Sequence, residues 1–220
     1  MITIIPGVLT SAELYDLLSN MNKMRFLDGA LTAGPGARHV KNNLQADMLA
    51  PEVAEASRFV AQALMRNETF RLAALPLRMT QVRFNLYHDA MTYGSHVDES
   101  VIEDVRTDVS FTLFLADPDS YRGGELVIED SGGERAFKLK AGDIILYPGT
   151  TLHRVEPVTT GERVAAFGWV QSAVRDGAKR ELIYDLDLTC RSLLEKHGNC
   201  REVDMLAKTR CNLMRMWAEL

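Results

Sequence analysis

The stretch "GELVIEDSGGERAFKLKAGDIILYPGTTLHRVEPV", residues 124–158, decides the fold class. Short runs rich in Val, Ile, Leu, Phe and Tyr are cut by DSGGE, AGD and PGT, whose Gly, Asp and Pro residues suit tight turns. Runs of this length bounded by turn signals read as strands. The same grammar extends outward. Upstream lie "LRMTQVRFNLYH" (77–88) and "TDVSFTLFLAD" (107–117), and downstream "ERVAAFGWVQS" (162–172). Many short strands with regular turns predict two antiparallel sheets facing each other in jelly-roll fashion.

Outside this region the apolar period becomes helical. "TSAELYDLLSNMNKM" (10–24) has Thr10 and Glu13 at capping-box spacing, then Leu14, Leu17, Leu18 and Met21 on one face. "APEVAEASRFVAQALMRN" (50–67) begins with Pro51 in its first turn and carries Val53, Ala56, Val60, Ala63 and Leu64 on one face. Between them, "LTAGPGARHVKNNLQ" (31–45) predicts a loop with a short strand. The tail predicts two antiparallel helices. Residues 176–198 carry Leu182, Leu186, Leu193 and Leu194 and stop at Gly198; residues 201–220 carry Val203, Leu206, Leu213, Met214 and Trp217. The expected class is a mainly β core with flanking helices (α+β). It divides into a support region (1–76), the β core (77–174) and a C-terminal helical hairpin (175–220). The apolar faces of the hairpin favour packing on the protein's own core and also offer a surface for a homo-oligomer.

The chain has 220 residues, 46% hydrophobic and 25% charged, enough for one well-developed core. A net charge of −5 gives no reason to expect a nucleic-acid partner, which would call for a basic stripe. The apolar runs are too short for a membrane span, and "MITIIPGVLT" predicts no signal peptide. Cys190, Cys200 and Cys211 are odd in number and match no zinc spacing, so reduced thiols in a cytoplasmic setting are expected.

Of the five histidines, His197 lies at a predicted helix end, where a cation complements the helix dipole. His39 and His88 fall in loop and turn contexts and read as surface residues. His96 and Asp98, in "GSHVDES" (94–100), are two apart, so on an extended chain they share a face. His153 follows a strand and a Pro-Gly turn. Folding of the β core can bring it to that pair, giving two imidazoles and one carboxylate with the remaining metal positions open. That donor set is typical of non-haem Fe(II) oxygenases. Arg163 sits near one end of an apolar strand, where an inward guanidinium would seek an anionic carboxylate; an exposed strand edge is its bland alternative.

The ordered set His96, Asp98, His153 and Arg163 resembles the Fe(II)/2-oxoglutarate dioxygenase superfamily, in its prolyl- and lysyl-hydroxylase branch. With "HVKNN", "RFNLYHDAMTYGSHVD", "RTDVSFTLFLADPDSYRGGEL" and "RVAAFGWVQSAVRD", the chain resembles the bacterial PKHD-type hydroxylases, also called iron-uptake factors, almost end to end. The resemblance implies a double-stranded β-helix for the core. It implies Fe(II) on His96, Asp98 and His153, with 2-oxoglutarate chelating the metal and pairing with Arg163. It further implies decarboxylation to succinate and CO2 with hydroxylation of a C–H bond by O2. L-Ascorbate would keep the iron reduced, as in relatives. Retention of Asp98 favours hydroxylation over the halogenation of superfamily members that lack this carboxylate.

Tyr87 resembles a cosubstrate-binding tyrosine, although a strand tyrosine also serves a core. Asn85, Tyr93 and Trp169 are further candidates to line the pocket. Family placement puts Lys41, Asn42 and Asn43 near the entrance, in contact with a substrate that is either a siderophore-related small molecule or a peptide side chain; turn geometry explains the asparagines equally well. Two other functions compete. A non-catalytic metal or 2-oxoglutarate sensor on the same barrel has no evident need of Arg163 for metal binding alone. A zinc hydrolase needs a general base, and Glu99, as strand neighbour of Asp98, should face the other way.

Overall fold

The computed structural model describes residues 1–32, 34 and 36–219; Ala33 and Pro35 of the expected 31–45 loop, and Leu220 of the tail, lie outside this set. In chain order the first half contains β1 (Thr3–Ile5), α1 (Ser11–Met21), β2 (Phe26–Asp28), β3 (Lys41–Asn42), β4 (Leu44–Ala46), α2 (Pro51–Arg66), α3 (Glu68–Ala74), β5 (Pro76–Met79) and β6 (Arg83–Tyr87). There follow β7 (Thr92–His96), β8 (Val101–Ile102), β9 (Val105–Arg106), β10 (Val109–Phe114), β11 (Arg122–Gly123) and β12 (Leu126–Asp130). The chain ends with β13 (Gly133–Phe137), β14 (Ile144–Pro148), β15 (His153–Val155), β16 (Val158–Thr160), β17 (Arg163–Ser172), α4 (Gly177–His197) and α5 (Arg201–Trp217).

The large sheet runs β1-β14-β10-β17-β6-β4-β2, with β5 beside β17; the small sheet runs β13-β12-β15-β7-β3. All pairings are antiparallel. The expected jelly roll is therefore present, as is the C-terminal helical pair.

Side-chain alternation explains why the central strands are buried on both faces. Val109, Phe111 and Leu113 of β10 join Val53, Val60 and Leu64 of α2 and Phe70 of α3 in one core. Ser110, Thr112 and Phe114 turn the other way, toward the small sheet. Along β17, Ala166 and Val170 face the helices while Arg163, Phe167 and Trp169 face a cavity between the sheets. A second apolar cluster closes the space between the sheets, joining Tyr87, Phe114, Ile145 and Tyr147 to Leu126, Ile128 and Val155.

The capping box of α1 is formed, with Thr10 Oγ1 accepting from the Glu13 N–H and Glu13 accepting from the Thr10 N–H. Pro51 occupies the first turn of α2, and all five residues expected on its inner face are buried. The 31–45 segment contains two short strands rather than one. One expectation for the tail fails. Leu182 and Leu194 of α4 are exposed, and the residues buried there are Arg180, Ile183 and Asp187. Asp187 takes Arg191 and Arg210, so the inner face of α4 is anchored by ion pairs as well as by apolar contact. Among the described residues, no helix is long and apolar enough to cross a membrane.

Candidate active site

His96 ends β7 and His153 begins β15, and these two residues are direct cross-strand partners. Their rings lie 4.3 Å apart between centroids. Asp98 follows two residues after the end of β7 and returns to the same point, with its Oδ1 3.8 Å from Nε2 of His153. One donor atom from each of His96, Asp98 and His153 falls within 4.8 Å of the others. An ion with bonds of about 2.1 Å spans ligand pairs roughly 3–4 Å apart, so only small adjustments are needed.

The donor atoms are aimed by neighbouring groups. Nδ1 of His96 is 2.8 Å from the Gly94 carbonyl oxygen, and Nδ1 of His153 is 3.1 Å from that of Thr151. A carbonyl only accepts, so both Nδ1 atoms carry the proton and both Nε2 lone pairs face the gap. Tyr93 stacks on His96 at 3.6 Å and 16°, and Tyr147 packs its ring against the edge of His153. Burial first, then the neighbouring His153, push the His96 imidazole well below its usual range, keeping it a neutral ligand. Ser110 Oγ donates to Oδ2 of Asp98 at 2.6 Å, which leaves Oδ1 for the gap.

Arg163 is 1% exposed. Its Nε donates to the Gly124 carbonyl at 2.8 Å, its guanidinium lies over the rings of Tyr87 and Phe114, and its buried Nη1 has no partner. An unpartnered buried guanidinium edge is costly and points to an anionic ligand. Burial raises the Tyr87 and Tyr147 phenols, so both stay protonated and can donate.

These groups share one cavity of about 420 Å³. The sequence-expected residues Lys41, Asn43, Asn85, Tyr87, Tyr93, His96, Asp98, His153, Arg163 and Trp169 all line it. Asn42 does not: it is exposed, on the outer face of β3. Alternation explains this, since Lys41, Asn43 and Gln45 point inward and Asn42 points out. Glu99 also departs from expectation. It lines the same cavity as Asp98, because the chain leaves β7 at His96 and strand parity no longer applies. His39 is exposed and His88 is engaged with Asp89 on the surface.

Sequence reasoning missed Arg83, Ser110 and Tyr147, which also line the cavity. For Arg83 and Ser110 the signal was present in "VRFNLY" and "VSFTLF", where polar residues alternate with apolar ones in runs that are otherwise core.

Comparison with known proteins agrees with this geometry. A model of the 2OG-Fe(II) oxygenase superfamily matches residues 82–171, and a model of the PKHD-type hydroxylase C-terminal domain matches 177–219. A PKHD-type hydroxylase of Crocosphaera subtropica is 47% identical over the full length of both chains, and one of Rippkaea orientalis is 48% identical, also over the full length of both. Among solved structures, a prolyl hydroxylase from Trichoplax adhaerens, in complex with a hypoxia inducible factor peptide fragment, superposes with a TM-score of 0.59 at 16% identity, covering 82% of this chain and 86% of its own. The viral collagen prolyl hydroxylase of Paramecium Bursaria Chlorella virus-1, solved with 2OG, gives 0.56 at 18% identity, covering 78% and 96%.

Proposed function

Because the chain belongs to the PKHD-type hydroxylases, within the 2OG-Fe(II) oxygenase superfamily, we propose that His96, Asp98 and His153 hold its Fe(II) and that Arg163 anchors its 2-oxoglutarate. Bound there, Fe(II) supplies the O2 activation that couples decarboxylation of 2-oxoglutarate to succinate and CO2 with hydroxylation of a substrate C–H bond.

The residues fit both groups. Two imidazoles and one carboxylate present three donors on one side of the gap and leave the opposite side open. Arg163 would offer its free Nη1 to the far carboxylate of the cosubstrate. Tyr87, on the strand paired with Arg163, would serve that carboxylate as a neutral donor, and Asn85 is the next inward residue on β6. Trp169 and Phe167 wall the cavity and exclude water. Tyr93 holds the His96 ring in plane. The single observation that carries the reading is the buried, half-partnered Arg163 in the same cavity as the triad.

The substrate enters past Lys41, Asn43 and Tyr93. A siderophore-related small molecule and a prolyl or lysyl peptide are the two classes to try, by succinate release. We infer a working division into support (1–76), catalytic core (77–174) and helical hairpin (175–220). Exposed Leu182, Leu188, Leu194, Met205 and Met216 on the hairpin suit contact with a second copy. The unpaired Cys190, Cys200 and Cys211 suit a reducing cytoplasm.

Anaerobic titration with Fe(II) and 2-oxoglutarate tests the site. A weak visible charge-transfer band is expected in the wild type, absent in His153→Ala and weakened in Arg163→Ala. No band from iron-loaded wild type would sink the assignment.

A further inference from the structure

The cavity carries two cations that the cosubstrate site does not use. Lys41 is 8% exposed, and among the described residues its Nζ donates to two neutral acceptors, Thr32 Oγ1 at 3.0 Å and Gln45 Oε1 at 3.1 Å. Arg83 lies over the Trp169 ring at 5.1 Å; its Nη2 takes Glu103 at 2.8 Å, and its buried Nε has no partner. Lys41 Nζ also lies over the Tyr93 ring at 5.2 Å and feels the Asp28 and Asp98 carboxylates without pairing with either; a desolvated ammonium with three donors and no bonded anion is costly unless an anion joins it.

Strand register brings the two together and separates them from Arg163. Tyr87 is opposite Arg163 and Arg83 is opposite Phe167, so Arg83 stands four residues along β6 from the Arg163 level. That is about 13 Å at the usual strand rise. A cosubstrate held by Arg163 would therefore be anchored at a different level of the sheet from Arg83. Lys41 comes from the facing small sheet, through β3. Its partner Gln45 is directly opposite Asn85, which is the next inward residue after Arg83. The Arg83 charge is felt at Lys41 and opposes its protonation. The acids nearby are already engaged or peripheral: Asp28 acts on Lys41 only through space and accepts from the Ala30 N–H. Glu103 holds Arg83, Asp98 is a metal ligand in the reading above, and Glu99 is exposed at the rim. Half-exposed Val97 and Leu152 line the mouth of the same cavity and suit an apolar stem.

We propose that Lys41 and Arg83 form a second anion-recognition subsite, distinct from Arg163, that takes a carboxylate of the primary substrate. This rests on the cosubstrate reading above. The substrate class it selects is an acid whose carboxylate lies between Lys41 and Arg83 while an apolar stem passes Val97 and Leu152.

The test uses the anaerobic Fe(II)- and 2-oxoglutarate-saturated protein, with hexanoate and its neutral counterpart hexanamide as probes in calorimetric titrations. Saturating 2-oxoglutarate keeps hexanoate from Arg163, and the charge-transfer band reports that the cosubstrate site is intact. Wild type is expected to bind hexanoate at least about tenfold more tightly than hexanamide, the scale of a charged hydrogen bond. Lys41→Met and Arg83→Gln should each lose most of that preference with the band retained, and Lys41→Arg should keep it. Should Lys41→Met abolish the band by disturbing the fold, Arg83→Gln decides. Equal binding of the two probes by wild type, or a preference that survives in Lys41→Met or Arg83→Gln with the band retained, overturns the subsite. A missing band in wild type instead overturns the cosubstrate reading, so the two failures are told apart.

Discussion

At the scale of single residues, the proposed site depends on groups outside its three donors. Ser110 holds Oδ2 of Asp98 and so decides which carboxylate oxygen faces the gap. In Ser110→Ala that oxygen is left buried without a donor, and the carboxylate is free to turn. Fe(II) affinity should fall about 10–100-fold, the usual cost of removing such support, while 2-oxoglutarate affinity at saturating iron stays near wild type; an equal loss of both would refute this role. Lys41 gives a pH dependence. Burial first, and the Arg83 charge second, lower it to about 8, so it is an ammonium below that pH and an amine above it. The preference for hexanoate over hexanamide should be full below about 8 and decline as pH rises through it, with the midpoint displaced upward by the bound anion. The decline should vanish in Lys41→Arg, and a flat profile in wild type would exclude Lys41 as the charge being read. The residues of "HVKNNLQ" show how much was legible here. Placing the segment at the entrance was within reach of the sequence, and strand parity would have set Asn42 apart from Lys41, Asn43 and Gln45. Arg83 could have been found by the argument applied to Arg163, since both are cations on strands that are otherwise core.

At the scale of elements, the turn before β12 sets the position of Arg163, the proposed cosubstrate anchor. Gly124 adopts φ +70°, and its carbonyl accepts from Arg163 Nε. A Cβ there would meet Arg163 Cδ and Val158 Cγ2, both at 2.9 Å. Gly124→Ala therefore combines a left-handed backbone cost of about 1–3 kcal/mol with direct pressure on the guanidinium. Thermal unfolding should shift down and the KM for 2-oxoglutarate should rise, with Fe(II) affinity spared; an unchanged KM would show that Arg163 moves without consequence. The elements missed by sequence reasoning share physical causes. β1 has three residues and gains its stability by pairing with Ile144–Leu146 of β14, a partner far away in the chain. α3 has only seven residues, and Asn67 both closes α2 and caps α3, so the two helices read as one boundary. β7, "TYGSH", has weak strand propensity because its residues serve the site: Gly94 donates its N–H to the Val40 carbonyl, Tyr93 stacks, and His96 is a donor. The strands that carry the core, β10, β14 and β17, were legible because burial on both faces demands long apolar runs.

At the scale of the whole molecule, a sheet lies between two environments. Helices α1 to α3 seal one face of the large sheet, and the other face, with the small sheet, shapes the cavity. The C-terminal pair packs on α3 and, through Tyr184, on the edge of the core that those helices cover, and among the described residues it lines no part of the cavity. It is tied to the rest by Arg191 with Glu68, by Arg106 with Glu219, and by the Glu219 N–H to the Ala173 carbonyl at 2.7 Å. Within the pair, α5 contributes one buried side chain, Val203, and the half-buried Leu206, Leu213, Met214 and Trp217. The sequence disclosed the inner face of α5 because its apolar residues keep a helical repeat. It misled for α4, whose inner face is set by Asp187 and its two arginines rather than by its leucines. If the hairpin is a brace and not part of the site, a chain ending at residue 200 should keep the charge-transfer band with Fe(II) and 2-oxoglutarate. Losing a few kcal/mol of apolar burial should lower Tm by on the order of 10 °C for a chain of this size. A truncated chain that remains folded by circular dichroism but gives no band would show that α5 holds the β core in its binding geometry, and the division at residue 175 would then have no functional meaning.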